Sequence, residues 1–559
     1  MIDSLAEKGQ EALKELSKKS QQEINDIVHQ MSMAAVDQHM HLAKLAYDET
    51  GRGIYEDKAI KNLYASEYIW NSIKDNKTVG IIGEDKQKGL TYVAEPIGVI
   101  CGVTPTTNPT STTIFKAMIA IKTGNPIIFA FHPSAQQSSK YAAKVILEAA
   151  TKAGAPKDCI QWIEVPSIEA TKQLMNHKDI ALVLATGGSG MVKSAYSTGK
   201  PALGVGPGNV PTYIEKTAHI KRAVNDIIGS KTFDNGMICA SEQVMVIDKE
   251  VYTDVVKEFK LHQTYFVNKN ELQRLEDAIM NEDKTAVKPD IVGKSAVDIA
   301  KLSGISVPEK TKLLVAEIDG IGKDYPLSRE KLSPVLAMVT AKSTGHALQI
   351  CEDTLKFGGL GHTAVIHTED SQLQQKFGLK MKACRVLVNT PSAVGGIGNM
   401  YNELIPSLTL GCGSYGRNSI SHNVSAVDLL NIKTIAKRRN NMQWFKLPPK
   451  VYFEENSVMY LTEMDNVERV MIVCDPGMVN IGYTDIVEQV LRRRENQPQI
   501  KVFNEVEPNP STHTVYKGVE MFINFQPDTI IALGGGSAMD AAKACLLYTS
   551  DAADERSSV

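Results

Sequence analysis

The sequence predicts an α/β protein in which two doubly wound α/β lobes fill the first 420 or so residues and an incomplete Rossmann-like domain follows. Three observations lead there. Short apolar runs alternate with amphipathic helical runs from about residue 75; a second alternating series starts at VMVID, Val244 to Asp248; a third starts at VMIVCD, Val470 to Asp475, beyond a Pro-Pro step. Strands that alternate with helices, several ending in Gly, indicate parallel βαβ units.

The elements follow in order. Residues 1 to about 75 read as helices, because Leu13 and Leu16, then Ile24, Ile27, Val28 and Met31, recur at helical spacing. GVICGV, PIIFAF, CIQWIEV and ALVLAT read as strands, with STTIFKAMIAIKTG, SAQQSSKYAAKVILEAATKAG and GMVKSAYSTG as the helices between them. LLVAEI and RVLVNT are strands of the second lobe. The expected division is a first domain over 1–430, with one lobe mainly 75–230 and the other mainly 231–400. A linker over 431–450 carries a basic cluster and Pro448-Pro449, a partial nucleotide-binding domain spans 451–545, and 546–559 is an atypical tail.

Composition narrows the function. A formal charge of -3 with 43% hydrophobic and 22% charged residues describes a globular chain without the basic excess that a phosphate backbone demands, so nucleic acid is excluded as a partner. The eight cysteines are scattered without a C-x-x-C pair, which argues against a zinc ribbon or a disulfide framework and for a reducing compartment. The N-terminus is charged and helix-forming rather than signal-like. Apolar runs such as PIIFAF fall far short of the roughly 20 residues that span a bilayer. The expectation is a cytoplasmic protein with no membrane contact.

Chemistry is concentrated in a few stretches. In TFDNGMICASEQ, Cys239 is flanked by Gly236, Ala240 and Ser241 rather than by branched apolar residues, which makes it a candidate nucleophile. Cys101, Cys159 and Cys474 lie in apolar runs and read as core thiols. In TPTTNPTSTTIFKAM a strand ends in a Pro- and Thr-rich turn and a helix starts near Ser111, so the Asn108 amide faces the C-terminal edge of a sheet, where it can donate to an oxyanion. An Asx turn capping that helix is the alternative. Gly187, Gly188 and Gly190 follow a strand and open a helix, the arrangement by which backbone approaches a dinucleotide pyrophosphate, although such a turn also serves tight packing. GVGPGNVP adds a second closely approached segment.

VTPTTNP, FHPSA, ATGGSGMVKSAYSTGKPALGVGPGN, FDNGMICASEQ, EKLSPVLAM, GGLGHTA and SLTLGCGS occur in an order that resembles the CoA-acylating aldehyde dehydrogenases, in the form found in the bifunctional aldehyde-alcohol dehydrogenase family. The resemblance implies an aldehyde dehydrogenase-like fold and the NAD-dependent, reversible oxidation of acetaldehyde with CoA to acetyl-CoA, as part of ethanol fermentation. It implies that Cys239 is the nucleophile and Asn108 the oxyanion donor; His362, in GLGHTA, is the remaining candidate for assisting the thiol step, because a histidine can exchange a proton near neutral pH. His362 has an alternative, a histidine satisfied by backbone in a Gly-rich turn. It further implies that the cofactor lies along Pro105, Thr106, Thr107, His132, Gly187, Gly188, Met191, Gly206, Glu330 and Leu410, with Glu330 on a ribose; His132 is read at the adenosine ribose, with a simple loop histidine as its alternative.

Where hydrolytic aldehyde dehydrogenases carry a water-activating glutamate, the matching position is Val205, which favours transfer to a thiol over hydrolysis. A hydrolytic dehydrogenase and a mainly structural, filament-forming protomer are the rival readings, and a homo-oligomer is expected. The C-terminal piece resembles the start of an iron-dependent alcohol dehydrogenase, with Asp475 ending a strand and Gly534, Gly535, Gly536 and Ser537 forming a phosphate-binding turn. That family binds iron through an aspartate and several histidines further along. After Asn431 only His513 is present, so neither a metal site nor alcohol dehydrogenase activity is expected here.

Overall fold

The structure, a computed structural model, describes residues 1–438 and 448–549. It divides into two compact units, 1–439 and 440–559. Among the described residues no helix is long and apolar enough to cross a membrane.

The first unit contains two parallel sheets. One has five strands in the order Ile160–Trp162, Ile127–Ala130, Val99–Val103, Ile180–Thr186, Ala202–Val205. The chain therefore winds outward from Val99–Val103 in one direction, then returns and winds outward in the other. The strand ends at Val103 and Thr186 flank the crevice this reversal opens, the place where doubly wound sheets bind ligands. The second sheet has seven parallel strands in the order Thr264–Val267, Leu313–Glu317, Val335–Ala341, Glu242–Asp248, Val210–Ile214, Gly361–His367, Ala383–Val388.

The boundary between the sheets differs from the sequence reading. The strand Val210–Ile214 and the helix Ile220–Thr232 belong to the second sheet and its core, so the division falls at 206–209 rather than 230. The helix Ile220–Thr232 follows the first strand of the new sheet, and its pattern alone does not say which sheet it covers.

The helix Gln21–Asp37 packs over one face of the first sheet, while Ile2 and Leu5 of the first helix, Ile2–Leu16, join the core on the other face. Ser20 caps Gln21–Asp37 in a reciprocal box with Glu23, and Ile24, Ile27, Val28 and Met31 face inward at helical spacing. Between them and the sheet runs Pro109–Lys122, every residue of which is buried. Full burial of Ile114, Phe115, Met118, Ile119 and Ile121 contributes about 1.5–3 kcal/mol per side chain, which anchors the start of this helix, and hence Asn108, against the sheet. The helix begins at Pro109 rather than near Ser111, as a proline at the first helical position permits. Cys101, Cys159 and Cys474 are fully buried.

Two features were not anticipated. The segments Gly80–Asp85 and Leu90–Pro96 form an antiparallel hairpin, and Leu430–Ala436 pairs antiparallel with Leu90–Pro96 to complete a three-stranded sheet. The expected linker over 431–450 therefore begins as a strand. Its pairing partner lies more than 300 residues upstream, and no local pattern announces a partner at that distance. Residues 439–447 of the expected linker lie outside the described residues.

The second unit has a three-stranded parallel sheet in the order Gln499–Phe503, Arg469–Cys474, Thr529–Leu533. Its last helix, Gly536–Thr549, runs past the expected boundary at 545; the rest of the expected tail, 550–559, lies outside the described residues.

Candidate active site

Cys239 lies in a turn immediately before the strand Glu242–Asp248. The approach is unusual: Asp234, Asn235 and Gly236 all have positive φ, at 47°, 52° and 72°. For the two non-glycine residues such a conformation costs about 1–2 kcal/mol each, and it persists because the surroundings overdetermine it. The Asp234 N–H donates to the Asp57 carboxylate at 2.7 Å, and the Asn235 amide donates to the Gly293 carbonyl at 3.0 Å. The kinked segment presents Cys239 to a cavity of about 270 Å³.

The other walls come from strand ends. Pro105, Thr106, Thr107 and Asn108 follow Val99–Val103; Gly187 and Gly188 follow Ile180–Thr186; Val205 ends the last strand of the first sheet, with Gly206 and Pro207 beyond it. Thus the C-terminal edge of the first sheet faces residues that precede strands of the second, Cys239 and Glu330 among them. His132 and Leu410 also line the cavity, so most of the residues singled out in the first unit meet in one place. Two do not. Met191 lies outside the lining, packed against the core of the first sheet, and His362 is fully buried at the start of Gly361–His367, in a strand rather than a Gly-rich turn.

Asn108 occupies the N-cap position of Pro109–Lys122 but makes no capping hydrogen bond with its side chain. Instead Nδ2 faces Thr107 Oγ1 at 3.1 Å and the Met237 carbonyl at 3.4 Å, while Oδ1 accepts from Lys61 Nζ at 2.6 Å. The geometry therefore disfavours the Asx-turn alternative. Lys61 also lines the cavity; it is carried by the helix Tyr55–Leu63, and nothing in its local sequence marked it.

Gly208 shows how tightly the loop 206–209 is packed. A Cβ there would lie 2.3 Å from the Cys239 carbonyl and 2.9 Å from the His362 ring, so any side chain would displace the cysteine. The Gly208 N–H donates to Glu330 Oε1 at 3.0 Å. Burial raises the Glu330 carboxyl to about 7 against the opposing pull of that N–H and of Lys231 and Lys331. Burial pushes the Cys239 thiol up to about 12, helped by the nearby Glu330 and Cys412 and opposed by the Arg385 guanidinium. His362 sits behind Gly208 with Nδ1 2.9 Å from Thr363 Oγ1 and Nε2 without a partner; burial holds its ring well below the usual histidine range.

The cavity fits a polar, elongated ligand. Thr106 Oγ1 and Thr186 Oγ1 are buried in its wall without hydrogen-bond partners. At Gly188 and Gly206 a Cβ would face open space, which leaves bare backbone at the entry of the helix Ser189–Tyr196. In the second unit Asp475 accepts from the Gly477 and Met478 N–H groups and caps Pro476–Asn480, and it shares a pocket of about 480 Å³ with Gly535, Gly536 and Ser537. Gly534 borders Asp475 with φ +138°. Among the described residues no group of three or more His, Cys, Asp or Glu could hold a metal ion, so the residues present do not fit iron.

A thiol and a side-chain amide thus share one cavity at the reversal point of a doubly wound sheet, beside bare glycine backbone. The chain belongs to the aldehyde dehydrogenase family, whose pattern matches residues 1–300, and the pattern of the iron-containing alcohol dehydrogenases matches 448–558, extending into the segment set apart as an atypical tail. An aldehyde-alcohol dehydrogenase of Streptococcus pneumoniae is 55% identical over 92% of this chain, and the chain spans 59% of that relative's length. An acetylating aldehyde dehydrogenase from Geobacillus thermoglucosidasius superposes with a TM-score of 0.77 at 46% identity, covering 80% of this chain and 98% of that one. A propionaldehyde dehydrogenase of Rhodopseudomonas palustris, solved with bound CoA and an acylated cysteine, gives 0.70 at 26% identity over 78% of this chain and 97% of that one.

Proposed function

We propose that the first unit oxidises acetaldehyde with NAD and passes the acyl group to coenzyme A, reversibly, through a thioester on Cys239. The observation that carries this reading is that Cys239 and the Asn108 amide share one cavity in whose wall Val205, and not an acidic residue, ends the adjoining strand. The acetylating and CoA-bound relatives support it.

By this reading the Cys239 thiolate attacks the aldehyde carbon, and the oxyanion so formed accepts hydrogen bonds from Asn108 Nδ2 and the Cys239 N–H. A nicotinamide cofactor, which Thr106, Thr186, Gly188, Gly206 and Glu330 would hold, would supply the hydride acceptor that turns this adduct into the thioester. Attack by the CoA thiol re-forms the oxyanion at Asn108, and its collapse expels the Cys239 thiolate with acyl-CoA as product. A thiol near 12 is un-ionised at neutral pH, so its proton needs an acceptor. Glu330 is the one carboxylate among the described lining residues. His362 keeps the free, neutral Nε2 that an acceptor for the CoA thiol needs, from a position behind Gly208. Pro105, Thr107, His132 and Leu410 complete the cofactor wall in this proposal.

That same carboxylate favours a second reading, hydrolytic oxidation, if Glu330 activates water. The two are separated by mixing enzyme, NAD and acetaldehyde without CoA. The acylating reading expects a burst of about one equivalent of NADH per site, followed by little turnover until CoA is added. Steady acetate production without CoA would overturn it.

A place in ethanol fermentation, a cytoplasmic setting and assembly into homo-oligomers or helical filaments belong to the same proposal. For the second unit we expect no ethanol-dependent NAD reduction when ferrous iron is added, because divalent iron needs several convergent nitrogen and oxygen ligands. Ethanol oxidation that follows added iron would show that ligands exist outside the described residues.

A further inference from the structure

The helix Tyr55–Leu63 brings Lys58 and Lys61, one turn apart, against the segment that leads to Cys239. Both ammonium groups meet one carboxylate, Asp234 Oδ2, Lys58 at 3.2 Å and Lys61 more closely; Asp234 is fully buried, and Lys58 and Lys61 are 3% and 4% exposed. The other oxygen, Asp234 Oδ1, accepts from the Ile54 N–H at 2.7 Å, and a Cβ at Gly53 would collide with it at 1.9 Å. Asp234 is thus held on all sides, in a left-handed conformation, by a segment remote from it in sequence.

Lys61 reaches beyond Asp234 to Asn108. An ammonium only donates, so the amide atom facing Lys61 Nζ at 2.6 Å must be Oδ1, which leaves Nδ2 as the donor, here directed at Thr107 Oγ1 and the Met237 carbonyl, both on residues of the cavity wall. A terminal amide has two nearly equivalent orientations, and only one of them aims a donor at an oxyanion. A positive charge on Oδ1 also withdraws electron density from Nδ2 and strengthens it as a donor.

We propose that Lys61, fixed by Asp234, is a positioning residue for the reaction: it selects and polarises the amide orientation in which Asn108 donates to the oxyanion. This rests on the functional reading above.

The test is a double-mutant cycle of Lys61→Met and Asn108→Ala, with Lys58 left in place so that the buried Asp234 carboxylate keeps a cation. Lys61→Met is expected to lower kcat about 10- to 100-fold, with KM for acetaldehyde and NAD within about threefold. In the Asn108→Ala background the same change should cost less than about threefold, because the amide it acts through is gone. Losses that multiply, or a Lys61→Met enzyme with unchanged kcat beside an impaired Asn108→Ala enzyme, would overturn the proposal. If Lys61→Met does not fold, Lys61→Gln keeps an N–H donor toward Asn108 Oδ1 and serves instead; the proposal then requires kcat to fall less than in Asn108→Ala and the cycle to remain non-additive. An Asn108→Ala enzyme with full kcat would instead overturn the oxyanion role itself and leave the thioester reading of Cys239 standing.

Discussion

Cys239→Ala is expected to lower acetaldehyde oxidation and acetyl-CoA reduction by about 10⁴-fold or more, while NADH binding stays within a few-fold. In the proposed reaction the thiol supplies the covalent bond in both directions, so no other group in the wall could take over. In the same proposal the cofactor would lie on Gly188, Gly206 and the threonines, which line the cavity and which the substitution leaves in place. Alanine retains the turn and loses only the sulfur. Stopped-flow NADH production and fluorescence titration of NADH check the two halves. Retention of more than about a hundredth of turnover would remove Cys239 from the nucleophile's role.

Asn108→Ala is expected to lower kcat about a hundred- to a thousandfold, the cost usual for removing one preorganised oxyanion donor. Its side chain caps nothing, so stability should fall by far less than the roughly 0.5–2 kcal/mol that loss of a true N-cap exacts. Lys61 would lose its second acceptor but keep Asp234. A variant with a lowered melting temperature and near-normal kcat would return Asn108 to a structural role.

Much of this site was legible because its residues sit in loops whose place is set by sheet winding. Gly188, Asn108 and Gly206 each follow a strand of one sheet, and such strand-to-loop switches are visible in a local pattern of apolar run followed by Gly, Pro or Asn. Once the winding reverses at Val99–Val103, those loops must converge. His362 and Met191 were named from the sequence but do not line the cavity, for the same reason in reverse. His362 is drawn into the start of a buried strand, and Met191 lies in the first turn of a helix whose side chains pack downward on the sheet. Lys61 was invisible because its meaning depends on Asp234, more than 170 residues away, and a lysine on an amphipathic helix ordinarily reads as a solvated face. The doubly wound architecture itself was plain in the alternation of runs, whereas the antiparallel hairpin Gly80–Asp85 and Leu90–Pro96 was hidden among half-exposed polar residues.

The three-stranded sheet constrains how the chain is made. Leu90–Pro96 is paired along one edge by Gly80–Asp85 soon after both leave the ribosome, but its other edge waits for Leu430–Ala436. Closing a loop of that length is entropically slow compared with forming the helices and βαβ units between, so this pairing is among the last events in folding the first unit. Until residue 436 has emerged, every nascent chain carries that edge of Leu90–Pro96 open, a template for a neighbouring chain on the same message.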